Sequence, residues 1–204
     1  MAHARNSTRC FSAQMFARAA TVCVLLLSLS SHTGAQQGVA RTQPSIPDIE
    51  VFDQNGKKMR FYSDLIAGKV VAVNFIFTSC TFVCPMQGSN FAKLQTALGE
   101  RLGRDVHLIS VSVDPATDTP ARLKAWGEKF GVKAGWTLVT GEQASMDKLL
   151  RTLTGDATRP VEHSPVVLLG DFDKGGWVRA YGLAEPERYL DLLAKASSAQ
   201  ASKP

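Results

Sequence analysis

The sequence predicts an α/β fold with a mixed central sheet, flanked by helices and preceded by a β-hairpin. From residue 70 onwards, apolar strand patterns alternate with helix patterns, as in proteins whose helices cover both faces of a sheet. Before that point, an Asn-Gly turn joins two short strand patterns, which predicts the hairpin. Near the end of the chain, a glycine turn joins the last two strands, so at least one pair is antiparallel. The length suits one domain with an ordinary core.

The predicted elements follow one another without an internal repeat or a sign of a second domain. The predicted strands cover residues 49–52, 58–61, 70–77, 106–113, 136–140, 166–169 and 177–181. The predicted helices cover residues 85–102, 120–130, 145–153 and 186–196, with a short helical turn at 63–68. Because strand 70–77 is apolar throughout, we expect it to be buried on both faces.

The first 35 residues have the pattern of a secretory signal peptide. Three arginines accompany an apolar stretch at residues 19–29, and small residues at 33–35 offer a cleavage site. The apolar stretch is shorter than the roughly 20 residues that span a bilayer, so an uncleaved anchor is the alternative. We therefore expect a periplasmic protein, either free or held at the inner membrane by residues 1–35.

Composition excludes a nucleic-acid-binding protein. Residues 1–35 hold three arginines and no acidic residue, so without them the net charge falls from +5 to +2, with no basic patch. Residues 36–45 are polar and read as a linker, residues 46–196 as the domain, and residues 197–204 as a disordered tail.

Two cysteines, Cys80 and Cys84, directly follow the buried strand 70–77 and precede a helix. Once the leader is removed, they are the only cysteines in the sequence. If the segment has begun to coil, a spacing of four places both on one face, roughly 6 Å apart at Cβ. Such a pair can form a disulfide or hold one soft metal ion, and a helix N-terminus lowers thiol pKa values. The pair therefore indicates redox or metal chemistry.

His163 is the candidate third ligand. It precedes strand 166–169, and if that strand runs antiparallel to strand 70–77, its start lies beside the cysteines. Two sulfurs and an imidazole suit Cu(I) and also accommodate Cu(II), although an ordinary loop histidine is the alternative. His107 is expected at the opposite end of the sheet, about 20 Å away, which disfavours a Cys₂His₂ zinc site.

Three further residues near the cysteines receive roles from their positions. Met86 falls in the apolar stripe of the first long helix, so we expect it in the core rather than as a soft ligand. Thr119 and Asp118 both precede the helix that starts at Pro120 and can cap it, and we expect capping to be the role of Asp118. Asp114 follows strand 106–113 on the same rim as the cysteines, which indicates a place in the outer shell of the site or in partner docking.

Four motifs in this order resemble the Sco/SenC family over about residues 46–195. They are Phe77–Pro85, Ile109–Pro115 continued by Asp118–Pro120, Leu138–Gly141 and His163-Ser164. The resemblance implies a thioredoxin-like fold with Cys80, Cys84 and His163 as copper ligands and Asp114 as the aspartate near the site. It also implies that the two thiols can form a reversible disulfide.

The same resemblance implies a copper chaperone, a binding and delivery protein rather than an enzyme with turnover. Its client would be the binuclear copper centre of cytochrome c oxidase subunit II, to which it delivers copper or whose thiols it reduces. Another periplasmic copper or thiol protein is the other candidate partner. A periplasmic thiol-disulfide oxidoreductase is the alternative function, and a peroxiredoxin-like thiol peroxidase ranks third.

Overall fold

A seven-stranded mixed sheet forms the centre of the protein in a computed structural model that describes residues 45–155, 165–174 and 176–198. The predicted leader, the linker up to residue 44, and the tail beyond residue 198 lie outside the described residues. Among the helices in the described ranges, none combines the length and apolarity needed to cross a membrane.

Each predicted strand and helix is present, with small shifts at the ends. The strands are β1 Glu50–Asp53, β2 Lys58–Arg60, β3 Val70–Ile76, β4 Val106–Ser112, β5 Trp136–Thr140, β6 Val166–Asp171 and β7 Gly176–Tyr181. The helices are α1 Val83–Leu98, α2 Pro120–Glu128, α3 Gln143–Thr154 and α4 Pro186–Ser198, with helical turns at Phe61–Ile66 and Gly99–Arg101. Helix α1 ends earlier than predicted because Gly99 adopts a φ of +53°, which glycine tolerates more readily than other residues.

The strand order is β2-β1-β5-β4-β3-β6-β7, which places β3 between a parallel and an antiparallel neighbour. The register pairs Val70 with Asp171 at one end and Asn74 with Val167 at the other. The predicted antiparallel relation is therefore confirmed, and β6 starts at the edge of the sheet where β3 ends.

Helices cover both faces of this sheet. Helices α1, α2 and α4 pack on one face, while α3 and the turn Phe61–Ile66 pack on the other. The four apolar side chains of α3 that the sequence places inward are all buried, namely Met146, Leu149, Leu150 and Leu153. Strand β3 is buried along almost its whole length, as its apolar sequence predicts.

Met86 is not a core residue, so that prediction was wrong. Its side chain is 46% exposed, whereas Phe91 is 1% exposed. Positions three and four residues before Phe91 share its helix face, and these are Gly88 and Gln87. Met86, five residues before Phe91, faces solvent instead.

Candidate metal centre

Three chain segments meet at the edge of the sheet that carries the cysteines. Strands β3 and β4 end there side by side, and the Val113 N–H donates to the Ile76 carbonyl at 2.9 Å. Strand β6 starts at the same edge. After Ile76 the chain turns, with the Cys80 N–H donating to the Phe77 carbonyl at 3.2 Å, and α1 then begins.

Cys80 lies at the N-terminus of α1, where its sulfur accepts the Cys84 N–H at 3.3 Å. Phe82, which precedes the helix, offers no side-chain cap, so this sulfur satisfies one of the free N–H groups of the first turn. Burial alone would raise the pKa of the Cys80 thiol. Hydrogen bonds from the Cys84 thiol and from the backbone around Phe82 and Val83 outweigh burial and hold this pKa below its ordinary value.

Cys84 behaves in the opposite way. It lies in the first turn of α1 and is fully buried. Burial, followed by its hydrogen bond to Cys80, raises the pKa of the Cys84 thiol to about 12; the charge of Asp118 acts in the same direction, and a backbone hydrogen bond from Phe77 opposes it. The expectation that a helix N-terminus lowers thiol pKa values holds for Cys80 and is wrong for Cys84, because burial dominates there. Cys80 is therefore the more acidic of the two thiols, and Cys84 is the less acidic.

His163, the predicted third ligand, lies outside the described residues. The structure describes the chain again from Pro165, two positions later in the sequence. Pro165 directly precedes β6, and its carbonyl accepts the Gly182 N–H at 2.9 Å. The chain thus re-enters the described fold at the edge that carries the cysteines, while the ligand role of His163 stays a prediction.

A tight junction ties α1 to the start of β6. A Cβ atom on buried Gly182 would lie 2.9 Å from the carbonyl carbon of Pro165 and 3.1 Å from Nε2 of Gln87. Only glycine leaves room for this approach. Gln87 lies one turn after Cys84, so the junction sets the position of the cysteine helix relative to Pro165.

Asp118 does not cap α2, so that expectation was wrong. The cap is Thr119, whose Oγ1 accepts the Arg122 N–H at 3.3 Å. Asp118 is instead buried, and it accepts hydrogen bonds from the Thr78 N–H at 3.1 Å and from Ser112 Oγ at 2.6 Å. Sequence reasoning missed this contact because Thr78 and Asp118 lie 40 residues apart and no local pattern links them.

Asp114 lies on the predicted rim. It is half-buried, and its N–H donates to Ser112 Oγ at 3.1 Å. Its carbonyl accepts the Asp118 N–H at 2.8 Å, which closes the turn that follows β4. This position agrees with the prediction, and the role of the Asp114 side chain in the outer shell or in docking stays a prediction.

His107 lies far from the cysteines, as expected. It pairs with Val71 near the start of β3, and the five residue steps from Val71 to Ile76 span about 17 Å. Burial and the nearby Lys69 lower the pKa of His107. Within the described ranges, no three histidine, cysteine, aspartate or glutamate side chains are grouped as a metal site.

The donors that are described fit a soft ion. The two sulfurs are close enough for the Cys84 thiol to donate to Cys80, and Cys80 is partly accessible. Thiolate sulfur is the ligand that Cu(I) prefers over the carboxylate and carbonyl oxygens that suit Mg²⁺ or Ca²⁺. Fold and site together define the class: a thioredoxin-like α/β protein with a dithiol centre at the N-terminus of a core helix.

The chain belongs to the SCO1/SenC family, whose sequence profile matches residues 38–188. It is 28% identical over 167 residues to the SCO1 protein homolog of Bacillus subtilis, covering 76% of this chain and 84% of that protein.

Two solved structures show the same fold. BsSco, a member of the Sco family of cytochrome c oxidase assembly proteins in which a disulfide switch was identified, aligns with a TM-score of 0.64 and 26% identity over 78% of this chain and 94% of that one. Bradyrhizobium japonicum ScoI, solved with copper bound, aligns with a TM-score of 0.57 and 27% identity over 73% of this chain and 95% of that one.

Proposed function

We propose that this protein is a periplasmic copper chaperone that holds copper between Cys80, Cys84 and His163. The observation that carries the proposal is the sulfur pair at the start of α1, in which the partly accessible Cys80 sulfur accepts the Cys84 N–H at 3.3 Å. Membership of the SCO1/SenC family and the copper-bound relative support the choice of metal. His163 completes a soft three-donor set, Cu(I) being the ion that this set suits best and Cu(II) the second.

The proposed client is the binuclear copper centre of cytochrome c oxidase subunit II. BsSco belongs to a family of cytochrome c oxidase assembly proteins, which supports a role in that assembly. The export signal predicted in residues 1–35 supports a periplasmic location, which an exported client domain would share. Another periplasmic copper or thiol protein is the second candidate for the client.

A Cu(I) titration against a chromophoric competing chelator tests this function on the reduced full chain with Cys10 and Cys23 replaced by serine, which leaves Cys80 and Cys84 as its only cysteines. We expect the wild type to bind one ion, and Cys80→Ser and Cys84→Ser to lose most of the affinity. His163→Ala should weaken binding by more than about tenfold, because even outer-shell partners of a metal are worth about 10–100-fold. His107→Ala is the matched control and should bind as the wild type does. Equally weak binding by the wild type and both cysteine variants would reject the chaperone function.

Thiol-disulfide exchange is the second candidate function, favoured by the unequal thiols. The Cys80 thiolate would attack one sulfur of a client disulfide, forming a mixed disulfide and releasing one client thiolate. Cys84 would pass its proton to that leaving thiolate and attack the Cys80 sulfur. This closes the Cys80–Cys84 disulfide, releases the second client sulfur as thiolate, and leaves the client reduced by two electrons.

Trapping separates this reaction from copper delivery. With Cys84→Ala, the resolving thiol is absent, so a mixed disulfide between Cys80 and a disulfide-bonded peptide should accumulate and be visible as an added mass. If the wild type does not reduce the peptide and the variant does not trap it, the exchange function is rejected. The copper-chaperone function is then still decided by the copper titration.

A further inference from the structure

Asp118 is a buried carboxylate that serves neither as a helix cap nor as a proposed copper ligand. Its side chain is 1% exposed, and among the ion pairs within the described ranges none includes it. Burying an ionised carboxylate is costly unless hydrogen bonds compensate. Every donor that compensates Asp118 therefore indicates what the carboxylate holds in place.

Those donors come from the turn that leads to Cys80 and from the end of β4. Oδ1 accepts from the Thr78 N–H at 3.1 Å and also from Thr78 Oγ1. Oδ2 accepts from Ser112 Oγ at 2.6 Å. Thr78 starts the turn that leads to Cys80, and Ser112 is the last residue of β4. The carboxylate thus joins the start of the cysteine turn to the end of the neighbouring strand.

The attachment of Thr78 has a direct consequence for the sulfurs. Between Thr78 and α1, the backbone bond from the Cys80 N–H to Phe77 sets the turn, and the bond from the Cys84 N–H to the Cys80 sulfur sets the start of the helix. Both bonds depend on where the chain leaves β3. Asp118 fixes that point because it accepts hydrogen bonds from both the N–H and the hydroxyl of Thr78. Hydroxyl side chains in place of Asp118 could accept these hydrogen bonds without the cost of burying a charge. Stability alone therefore does not account for a carboxylate at this position.

We propose that Asp118 is the positioning residue of the cysteine centre: by holding Thr78 against the end of β4, it sets the placement of the Cys80 and Cys84 sulfurs toward copper. This inference rests on the proposed copper function and adds a residue to it. Arg122, whose Nε lies 3.4 Å from Thr78 Oγ1, lies on the exposed side of the same contact.

The test compares Asp118→Ala and Asp118→Asn with Thr119→Ala in the full chain. Thr119 is adjacent in sequence and caps α2, and its side-chain hydrogen bond goes to Arg122 rather than to the cysteine turn. We expect Asp118→Ala to weaken Cu(I) binding about 10–100-fold, as outer-shell changes do. Asp118→Asn keeps an oxygen for Thr78, so it should recover part of the loss. Thr119→Ala should lower the melting temperature and leave the affinity within about threefold of wild type, because capping changes act on the helix end rather than on the sulfurs.

A spectroscopic measurement distinguishes positioning from general destabilisation. In the Cu(II)-loaded protein, the sulfur-to-copper charge-transfer band should shift in Asp118→Asn and stay unchanged in Thr119→Ala. Thr78→Val, which removes only the hydroxyl donor, keeps the test available if Asp118→Ala does not fold. It should weaken copper binding in the wild-type background and have less effect when combined with Asp118→Asn.

The outcomes separate the two proposals. A wild type that does not bind copper rejects the copper function, and this inference with it. If the wild type binds copper and the Asp118 variants bind equally well with an unchanged band, only the positioning role is overturned. An equal loss of affinity in Thr119→Ala would likewise overturn it, because the effect would then follow stability.

Discussion

At the scale of single residues, two thiols one helical turn apart have opposite properties. Burial would raise the pKa of Cys80, but hydrogen bonds from the Cys84 thiol and from the N–H groups that begin α1 hold this pKa below its ordinary value. Cys84 is enclosed by the core, which raises its pKa to about 12. The partly accessible Cys80 sulfur can meet an incoming ion or client sulfur first. The buried Cys84 thiol must give up its proton before it can bind copper or attack a disulfide.

This asymmetry predicts unequal alkylation of the two thiols. In the full chain treated with iodoacetamide, labelling of Cys80 should rise with a midpoint below that of an unperturbed cysteine, about 8.5. Cys84 should stay unlabelled until the pH approaches 12, because deprotonation in its buried position is unfavourable. Peptide mass spectrometry over a pH series measures both residues separately.

Cys84→Ala is the matched control for that profile. It removes the thiol that donates to Cys80, so the Cys80 midpoint should move upward. Equal labelling of both cysteines in the wild type, or a Cys80 midpoint no lower than that of a free cysteine, would contradict the assigned asymmetry.

The sequence identified the two cysteines of the site but not the role of the Asp118 carboxylate, which binds the start of the cysteine turn. Cys80 and Cys84 are recognisable because their spacing and their place after an apolar strand are local features. Asp118 carries a local signal too, but that signal indicates a helix cap, and Thr119 takes the cap instead. The actual partners of Asp118 are brought close only by the pairing of β3 with β4, so local chemistry could not predict them.

At the scale of elements, the junction of Gly182, Pro165 and Gln87 determines how closely α1 approaches the start of β6. The space for a side chain at Gly182 is taken by the Pro165 backbone, which cannot shift as a flexible side chain can. Because β6 pairs with β3 in a fixed register, the position of Pro165 is set at the edge of the sheet where the cysteines lie.

Gly182→Ala should therefore lower the free energy of unfolding by about 1–3 kcal/mol, the usual cost of overpacking. Chemical denaturation of the full chain measures the change. Gly88→Ala is the matched control, because its Cβ would meet the Phe130 ring at 2.7 Å, and a ring can move aside. We expect a smaller loss there, and a neutral Gly182→Ala would show that the junction is not tight.

Element types were predictable, whereas the inward positions at the start of α1 were not. Strand and helix patterns alternate clearly, and each element forms where its apolar residues lie. The interpretation of α1 counted Met86 as inward because it is apolar, but the inward positions are taken by Gln87 and Gly88. A polar and a glycine residue face the core there because of the junction with Gly182 and the contact with Phe130, and both are tertiary contacts.

At the scale of the whole molecule, the mixed sheet assembles the site from distant parts of the sequence. Parallel pairing of β3 and β4 brings Asp114 and Asp118 to the cysteine edge, and antiparallel pairing with β6 brings Pro165 there. The same topology leaves His107 at the opposite edge. From the sequence, the directions of β4 and β6 relative to β3 were conditions rather than results, and the observed pairings meet both conditions.

X-ray absorption at the copper edge identifies the atoms that bind the ion we propose to lie between Cys80, Cys84 and His163. For the reduced full chain with Cys10 and Cys23 replaced by serine, loaded with one equivalent of Cu(I), we expect two sulfur ligands and one imidazole nitrogen. His163→Ala should lose the nitrogen and keep both sulfurs, while His107→Ala should match the wild type. A wild-type spectrum without sulfur ligands, or an unchanged nitrogen contribution in His163→Ala, would contradict this proposal.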